Sequence, residues 1–242
     1  MKRNFFLSPF AEAYQEERFI GSRVLVVDIF RATTTMLNLF LLGVEEIRLL
    51  AEPEEGEAFT SPEWLKVGER DSAKIPGFDV NNSPREISAL FIERGSLPGR
   101  AAMVTSNGTR AALRARLGEA LFVACFNNLS CVLDRLLLYP EEENWFFALA
   151  GDGGRLSLED SLFAGVLIGE VEKRGVKTVL DDGSLLAREA AKTPLGWEAL
   201  LREGVHTQEL QNKGFREDIL IALQRDRCPL LPRIEGRTLR LT

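Results

Sequence analysis

Only one histidine, His206, and three cysteines, Cys125, Cys131 and Cys228, occur among the 242 residues. An odd cysteine count without a C-x-x-C pair argues against a disulfide framework or a zinc knuckle, and places the chain in a reducing cytoplasm. No apolar run approaches the roughly 20 residues of a membrane span. Neither sign of charge forms a block that would suggest a nucleic-acid tail or a polybasic membrane patch. Glu12, Glu16 and Glu17 follow the basic start Lys2-Arg3 too soon for a secretory signal. The sequence also lacks G-x-x-x-x-G-K-[ST], G-x-G-x-x-G and G-x-S-x-G, so nucleoside triphosphates, dinucleotides and ordinary esters lose weight as substrates. A D-x-D start fails as well, because Phe30 stands two positions after Asp28.

What is present is ordinary in bulk. Thirty Lys and Arg against thirty-six Asp and Glu give a net charge of −6, and 45% of residues are hydrophobic. A chain of this length buries roughly 70–75% of its unfolded surface, enough for one large domain or two small lobes. No linker separates the halves, so residues 1–242 are expected as a single α/β domain or two tightly joined lobes. The bulk acidity means that any anion must be held locally.

Four times a short apolar run breaks into Asn, Thr, Gly, Arg and carboxylates and then into a helical pattern. The first is Val24 to Val27, followed by Asp28, Arg31 and Thr33-Thr34-Thr35. Ala101 to Val104 precede Ser106-Asn107-Gly108-Thr109-Arg110; Leu121 to Cys125 precede Asn127-Asn128; Trp145 to Ala150 precede Gly151-Asp152-Gly153-Gly154-Arg155. Glu46 to Leu50 and Trp64 to Val67 read as further strands. Strands alternating with helices predict an α/β fold, layered α/β/α around a mostly parallel sheet. In such a sheet the junctions gather at the strands' carboxyl ends, where free helix N–H groups favour an anion.

Residues 36–42 ending at Gly43 read as a helix, and 52–63 as a poorly specified helix or loop. Leu129, Val132, Leu133, Leu136 and Leu137 form a core stripe. Ser157 with Asp160 has capping-box spacing. The long turn-rich stretch 76–84 is of the kind that is usually functional. Beyond residue 175 the pattern is mostly helical, Asp181 and Asp182 reading as caps, before a terminal strand after Pro232.

Asp28 ends an apolar strand, where a carboxylate is costly unless donors or a cation meet it; a helix cap or a partner for Arg31 competes with a metal ligand or nucleophile. Arg31, Arg70 and Arg110 sit beside turns, where a planar fork suits phosphate or sulfonate oxygens. The hydroxyls of Thr33, Thr34 and Thr35 bind anions or merely cap a helix. Asn107-Gly108 and Asn127-Asn128 have conformational readings beside their placement at strand ends. Glu69, Glu159 and Asp160 complete a set of hard oxygen ligands suited to magnesium, although Glu159 reads equally as a first-turn acid favoured by the helix dipole. Cys125 reads as core. An isolated histidine such as His206 is more often structural, which leaves carboxylate and metal chemistry favoured.

In order along the chain, Asp28 with Arg31-Ala32-Thr33-Thr34-Thr35, Gly68-Glu69-Arg70, Gly77-Phe78-Asp79 with Asn82-Ser83-Pro84, Ser106-Asn107-Gly108-Thr109, Cys125 with Asn127, and Ala150-Gly151 with Gly154 and Leu158-Glu159-Asp160 resemble the successive signatures of the ComB-type 2-phosphosulfolactate phosphatases. The likeness continues through His206 and Gly214 to Asp218-Ile219. It departs at Phe30, where leucine is usual, and at Asp71 and Asn81, where glycine is; these bear on substrate detail more than on reaction class.

The resemblance implies a ComB-like α/β fold and a cytoplasmic, Mg²⁺-dependent enzyme that releases phosphate from 2-phosphosulfolactate, a small anion of the coenzyme M pathway. It places Mg²⁺ among Asp28, Glu69, Glu159 and Asp160, with Arg31 and Arg70 as catalytic cations. Thr33, Thr34, Asn82, Ser83, Asn107, Gly108, Thr109 and Asn127 are the candidate substrate-binding residues. Either Asp28 attacks phosphorus or a water does. Another small 2-phospho acid as substrate, and a non-catalytic sensor of anionic metabolites, remain the alternatives. Neither nucleic acid nor membrane is expected as a partner, and a symmetric dimer is the default assembly.

Overall fold

The computed structural model describes residues 2–139 and 143–241. Its first half contains β1 (Lys2–Ser8), β2 (Arg23–Val27), α1 (Ala32–Leu41), β3 (Glu46–Leu49), β4 (Trp64–Arg70), the two-residue β5 (Ala73–Lys74) and α2 (Pro84–Arg94). Next come β6 (Arg100–Val104), α3 (Gly108–Arg114), β7 (Ala120–Ala124), α4 (Leu129–Leu138), β8 (Glu143–Leu149) and α5 (Leu158–Lys173). The chain ends with β9 (Lys177–Leu180), α6 (Asp182–Ala191), α7 (Trp197–Arg202), α8 (Val205–Asn212), α9 (Arg216–Ala222), β10 (Pro232–Glu235) and β11 (Thr238–Leu241). This is the expected α/β class with a large, mostly parallel sheet.

Among the described residues eleven strands pair in the order β5-β4-β6-β3-β11-β10-β7-β2-β8-β1-β9. Two parallel blocks, β4-β6-β3 and β7-β2-β8-β1-β9, are joined by the antiparallel hairpin β10–β11. The three antiparallel contacts at that join reverse one block relative to the other. On a flat sheet the two sets of carboxyl ends would then lie on opposite edges. Twist of roughly 20–25° per strand accumulates to about 100° or more over five steps, which lets the two sets meet. The expected single row of junctions is thus replaced by two converging rows.

Continuous apolar runs become central strands because both faces are covered. β7 is buried along its whole length and β2 at all positions after Arg23. One core cluster passes through both blocks, taking Ile47, Val67 and Met103 from one and Val24, Val123 and Phe147 from the other. The expected strands at 23–28, 46–50, 64–67, 101–104, 121–125 and 145–150 all form. Residues 52–63 contain only the 3₁₀ stretch Pro53–Ala58.

Four strands escape the reading by sequence, the two-residue β5 after β4 being the shortest. β1 carries the charges of Lys2 and Arg3 into the sheet, and Arg3 is fully buried because its guanidinium donates to the carbonyls of Leu136 and Tyr139. β9 is a four-residue strand at the sheet edge, inside the region expected to be helical. The single terminal strand is instead a hairpin, with Glu235 opposite Thr238 across Gly236-Arg237. Gly236 has φ 61°, which a two-residue hairpin turn requires and which glycine adopts without steric cost.

Candidate active site

A cleft of about 280 Å³ opens where the loops after β2, β4, β6 and β8 meet α8. Of the residues singled out in the sequence, it brings together Asp28, Arg31, Glu69, Asn82 and Asn107. Ser106, Asp71 and Ser72 extend one wall, and Asp152 and Arg155 form another. His206, Glu209, Leu210 and Lys213 close it from α8 and the residue just beyond.

Asp28 serves as both cap and site residue. Its Oδ1 accepts the Ala32 N–H at 3.0 Å at the start of α1, while its backbone is locked by Thr33, whose N and Oγ1 both donate to the Asp28 carbonyl. That leaves Oδ2 toward the cleft. Burial first, then the neighbouring carboxylates of Glu69 and Glu159, push the Asp28 carboxyl up to about 7, against the opposing pull of the Ala32 N–H and His206. The peptide between Phe30 and Arg31 is cis.

Gly108, the first residue of α3, stands against this carboxylate. A Cβ there would lie 2.4 Å from the Ala32 Cβ and 2.5 Å from Asp28 Oδ2, so only glycine lets α3 and α1 pack at this separation. Gly108→Ala is expected to destabilise the protein by about 1–3 kcal/mol through overpacking and to displace Asp28. Its melting temperature should fall by several degrees and kcat by at least tenfold (order of magnitude). A variant with wild-type melting and turnover would show that the contact yields freely.

Glu69, the penultimate residue of β4, accepts three hydrogen bonds: from Ser106 N to Oε1 at 2.6 Å, and from Ser72 N and Ser106 Oγ to Oε2 at 2.8 and 3.1 Å. It thereby ties the β4–β5 turn to the junction after β6. Asn82 is 3% exposed, lines the cleft, and its Oδ1 has no hydrogen-bond partner. A buried orphan of this kind in a cleft wall is a place where a ligand or cation completes the bonding.

Arg31 is 3% exposed and its orientation is fixed from behind. Its Nη1 donates to Asp218 Oδ2 at 3.0 Å, and the guanidinium lies 3.8 Å from the centroid of the Phe215 ring. Asp218 Oδ1 accepts from Ser83 Oγ at 2.8 Å and from Arg85 N at 3.0 Å, so α9 and the start of α2 share one buried carboxylate. The partner of Arg31 is thus Asp218, 187 residues away, and Asp28 is not that partner.

The least anticipated site residue is His206. Its Nδ1 lies 2.5 Å from Glu159 Oε1, its ring meets Phe30 edge-on at 6.1 Å, and it lines the cleft. Burial alone would lower the imidazole, but the Glu159 carboxylate holds it above its usual value. Glu159 is thereby a partner of His206, buried at the first turn of α5 as the dipole reading allowed. His206, Glu209, Leu210 and Lys213 follow i, i+3, i+4, i+7 spacing, a single helical face. This signal was present in the sequence, but three polar residues in four do not make an apolar stripe.

Several sequence candidates lie elsewhere, bonded inside the fold, although Asn127 Oδ1 keeps no hydrogen-bond partner. The Thr34 hydroxyl donates to the Ile29 carbonyl and that of Thr109 to Thr105, both helix back-bonds, as Thr33 does to Asp28. Ser83 caps α2 through the Glu86 N–H. Asn127 Nδ2 donates to the carbonyls of Ile221, Ala222 and Gln224, fastening the end of α9. Arg70 pairs with the exposed Glu52 at 3.4 Å, and Arg110 with Glu12. None of these residues lines the cleft. Burial pushes the Cys125 thiol up to about 12, in keeping with its core reading. Asp181 caps α6 by accepting the Ser184 N–H, as expected, whereas Asp182 is the first residue of the helix.

The four-carboxylate magnesium set does not assemble. Both oxygens of Asp160 face backbone donors, Ile29 N at 2.8 Å and Gly151 N at 3.3 Å, and Glu159 faces His206. Among the described residues no group of three or more His, Cys, Asp or Glu side chains is placed to hold a metal. A smaller set does fit: magnesium commonly takes one or two carboxylates and completes its shell with waters and substrate phosphate. Asp28 and Glu69, the latter with both oxygens also accepting hydrogen bonds, would be the carboxylates, and the unpartnered Oδ1 of Asn82 would be a further hard oxygen. The cleft walls carry Asp28, Glu69, Asp71, Asp152 and Glu209 against Arg31, Arg155 and Lys213. An anionic ligand therefore needs added positive charge.

A large mostly parallel sheet, with a polar cleft walled by amides, carboxylates and an oriented guanidinium, defines an α/β protein built to take a small charged ligand. A family profile described as 2-phosphosulpholactate phosphatase matches residues 10–237, and the chain belongs to that family. Relatives named "Probable 2-phosphosulfolactate phosphatase" include one from Synechococcus sp. (strain RCC307), 35% identical over 225 residues and covering 88% of each chain. Those from Pseudothermotoga lettingae and Deinococcus radiodurans are 32% and 34% identical, covering 86% of this chain and 87% and 85% of theirs. No helix of the described residues is long and apolar enough to cross a membrane.

Proposed function

We propose that the protein is a magnesium-dependent phosphatase that hydrolyses 2-phosphosulfolactate to sulfolactate and inorganic phosphate. The observation that carries this reading is the convergence of Asp28, Arg31, Glu69 and Asn82 with His206 in one cleft, together with membership of the family. Magnesium would be held by Asp28 and Glu69 and would supply charge neutralisation at the phosphoryl oxygens.

The chain's own groups do the rest. Arg31, fixed by Asp218 and Phe215, neutralises one phosphoryl oxygen without having to reorganise. Asn82 and Asn107 offer neutral amide donors, which orient an anion without repelling a cation. His206, whose imidazole the Glu159 carboxylate holds above its usual value, gives a proton to the departing 2-oxygen of the substrate. Water supplies the oxygen that bonds to phosphorus as the bond to the 2-oxygen breaks, and its proton leaves with the phosphate or reprotonates His206. Since phosphoryl transfer depends mainly on positioning and charge stabilisation, this inventory then suffices.

Incubation with 2-phosphosulfolactate and Mg²⁺ should release phosphate, EDTA should stop the release, and added Mg²⁺ should restore it. Full activity after chelation would remove the metal from the reading. Binding of 2-phosphosulfolactate without any phosphate release would favour a sensor.

A further inference from the structure

With Arg31 assigned to the phosphoryl group, two further Lys or Arg side chains, Arg155 and Lys213, stand at the cleft walls. Arg155 follows β8 and closes a tight turn, Asp152 N donating to its carbonyl and Arg155 N donating back to that of Asp152. Gly153 and Gly154 make this turn with φ 55° and 76°. Its guanidinium reaches Asp152 Oδ2 at 2.8 Å and is otherwise two-thirds exposed. Lys213 follows α8 and sits on the other wall. Its Nζ donates to the Asp71 carbonyl and to Ser72 Oγ, each at 3.3 Å. Both acceptors are neutral and both bonds are long, so its charge remains available to a ligand.

We propose that Lys213 and Arg155 are the specificity-determining pair that recognises the two anionic groups of the substrate other than its phosphate. This rests on the phosphatase reading of the same cleft. Arg155 takes the carboxylate, because a planar fork matches a planar two-oxygen acceptor. Lys213 takes the sulfonate, because an ammonium acts as a point charge toward a three-oxygen tetrahedral group. The ligand class is therefore a 2-phospho acid with a second strong anion on the next carbon. Phosphate esters without that anion bind without engaging Lys213.

The test compares 2-phosphosulfolactate with 2-phospholactate, which lacks the sulfonate, and with O-phosphoisethionate, which lacks the carboxylate. Lys213→Met should lower kcat/KM by about 10- to 100-fold on the two sulfonates and by less than about threefold on 2-phospholactate, as expected for losing one bond to a charged group. Arg155→Met should show the reverse selectivity, sparing O-phosphoisethionate, and Lys213→Arg should recover most of the loss.

Equal losses on all three substrates, or no loss, would overturn the assignment. Calorimetric binding of sulfolactate, which cannot be hydrolysed, separates this proposal from the phosphatase reading. If the wild type binds sulfolactate but releases no phosphate from 2-phosphosulfolactate, only the reaction is wrong. If Lys213→Met binds sulfolactate as tightly as the wild type, the recognition pair is wrong. Both side chains are exposed at the rim, so the variants should fold.

Discussion

Asp28→Asn is expected to abolish turnover, with loss of at least about 10³-fold, while leaving the fold intact. Asn keeps the shape of the side chain and an Oδ1 to accept the Ala32 N–H, so the cap on α1 survives. What disappears is the charge of a carboxylate that lines the cleft. Stability then separates the two roles. An acid whose folded-state value of about 7 lies above its unfolded value of 3.8 favours the fold only while protonated. Between about pH 4 and pH 7 the metal-free wild type loses that advantage, on the order of 4 kcal/mol.

Asn does not titrate, so in EDTA the variant should melt above the wild type at pH 8, and the gap should shrink toward pH 5. Saturating Mg²⁺ should narrow it too, because a cation favours the ionised wild-type carboxylate. Differential scanning calorimetry across pH reads all three. Retained turnover, or a variant that melts well below the wild type at every pH, would make Asp28 a structural cap alone.

The second large effect belongs to His206. His206→Gln should lower kcat on 2-phosphosulfolactate by about 10²- to 10⁴-fold, the usual range for removing a general acid. On p-nitrophenyl phosphate, whose leaving group needs no proton, the loss should be far smaller. Glu159→Gln should cost less, and it should move the alkaline limb of the pH–rate profile to lower pH. The sign follows from the pair: the Glu159 carboxylate raises the imidazole, and activity falls as pH rises through its titration. Equal losses on both substrates would assign His206 to packing against Phe30 in place of proton transfer.

This residue also marks how far the sequence reaches. Asp28, Glu69 and Asn107 were legible because each follows or lies near a strand, where an α/β sheet exposes polar groups, and Asn82 because it lies in the turn-rich stretch 76–84 and the family's signature. Arg70, Thr109 and Asn127 share that placement yet serve the fold. Whether a side chain faces a cleft or a neighbouring carbonyl depends on what lies opposite it, and those opposite groups come from Glu52, from within the same turn, and from the end of α9. His206 was the converse case, an isolated histidine given meaning by Glu159, 47 residues earlier.

The amino-acid order by itself determined the alternation of strand and helix, the strand-end clusters, the buried stripe of α4 and the signatures that mark the family. These are local, set by side-chain periodicity and backbone preference within a few residues. Tertiary structure alone decided that the final hairpin would enter the middle of the sheet and reverse one block against the other, that α8 would wall the cleft with His206 and Lys213, and that Asp218 would hold Arg31. Each of those depends on contacts between residues far apart in the chain, whose free energy comes from burial and charge pairing that exist only once the chain has folded.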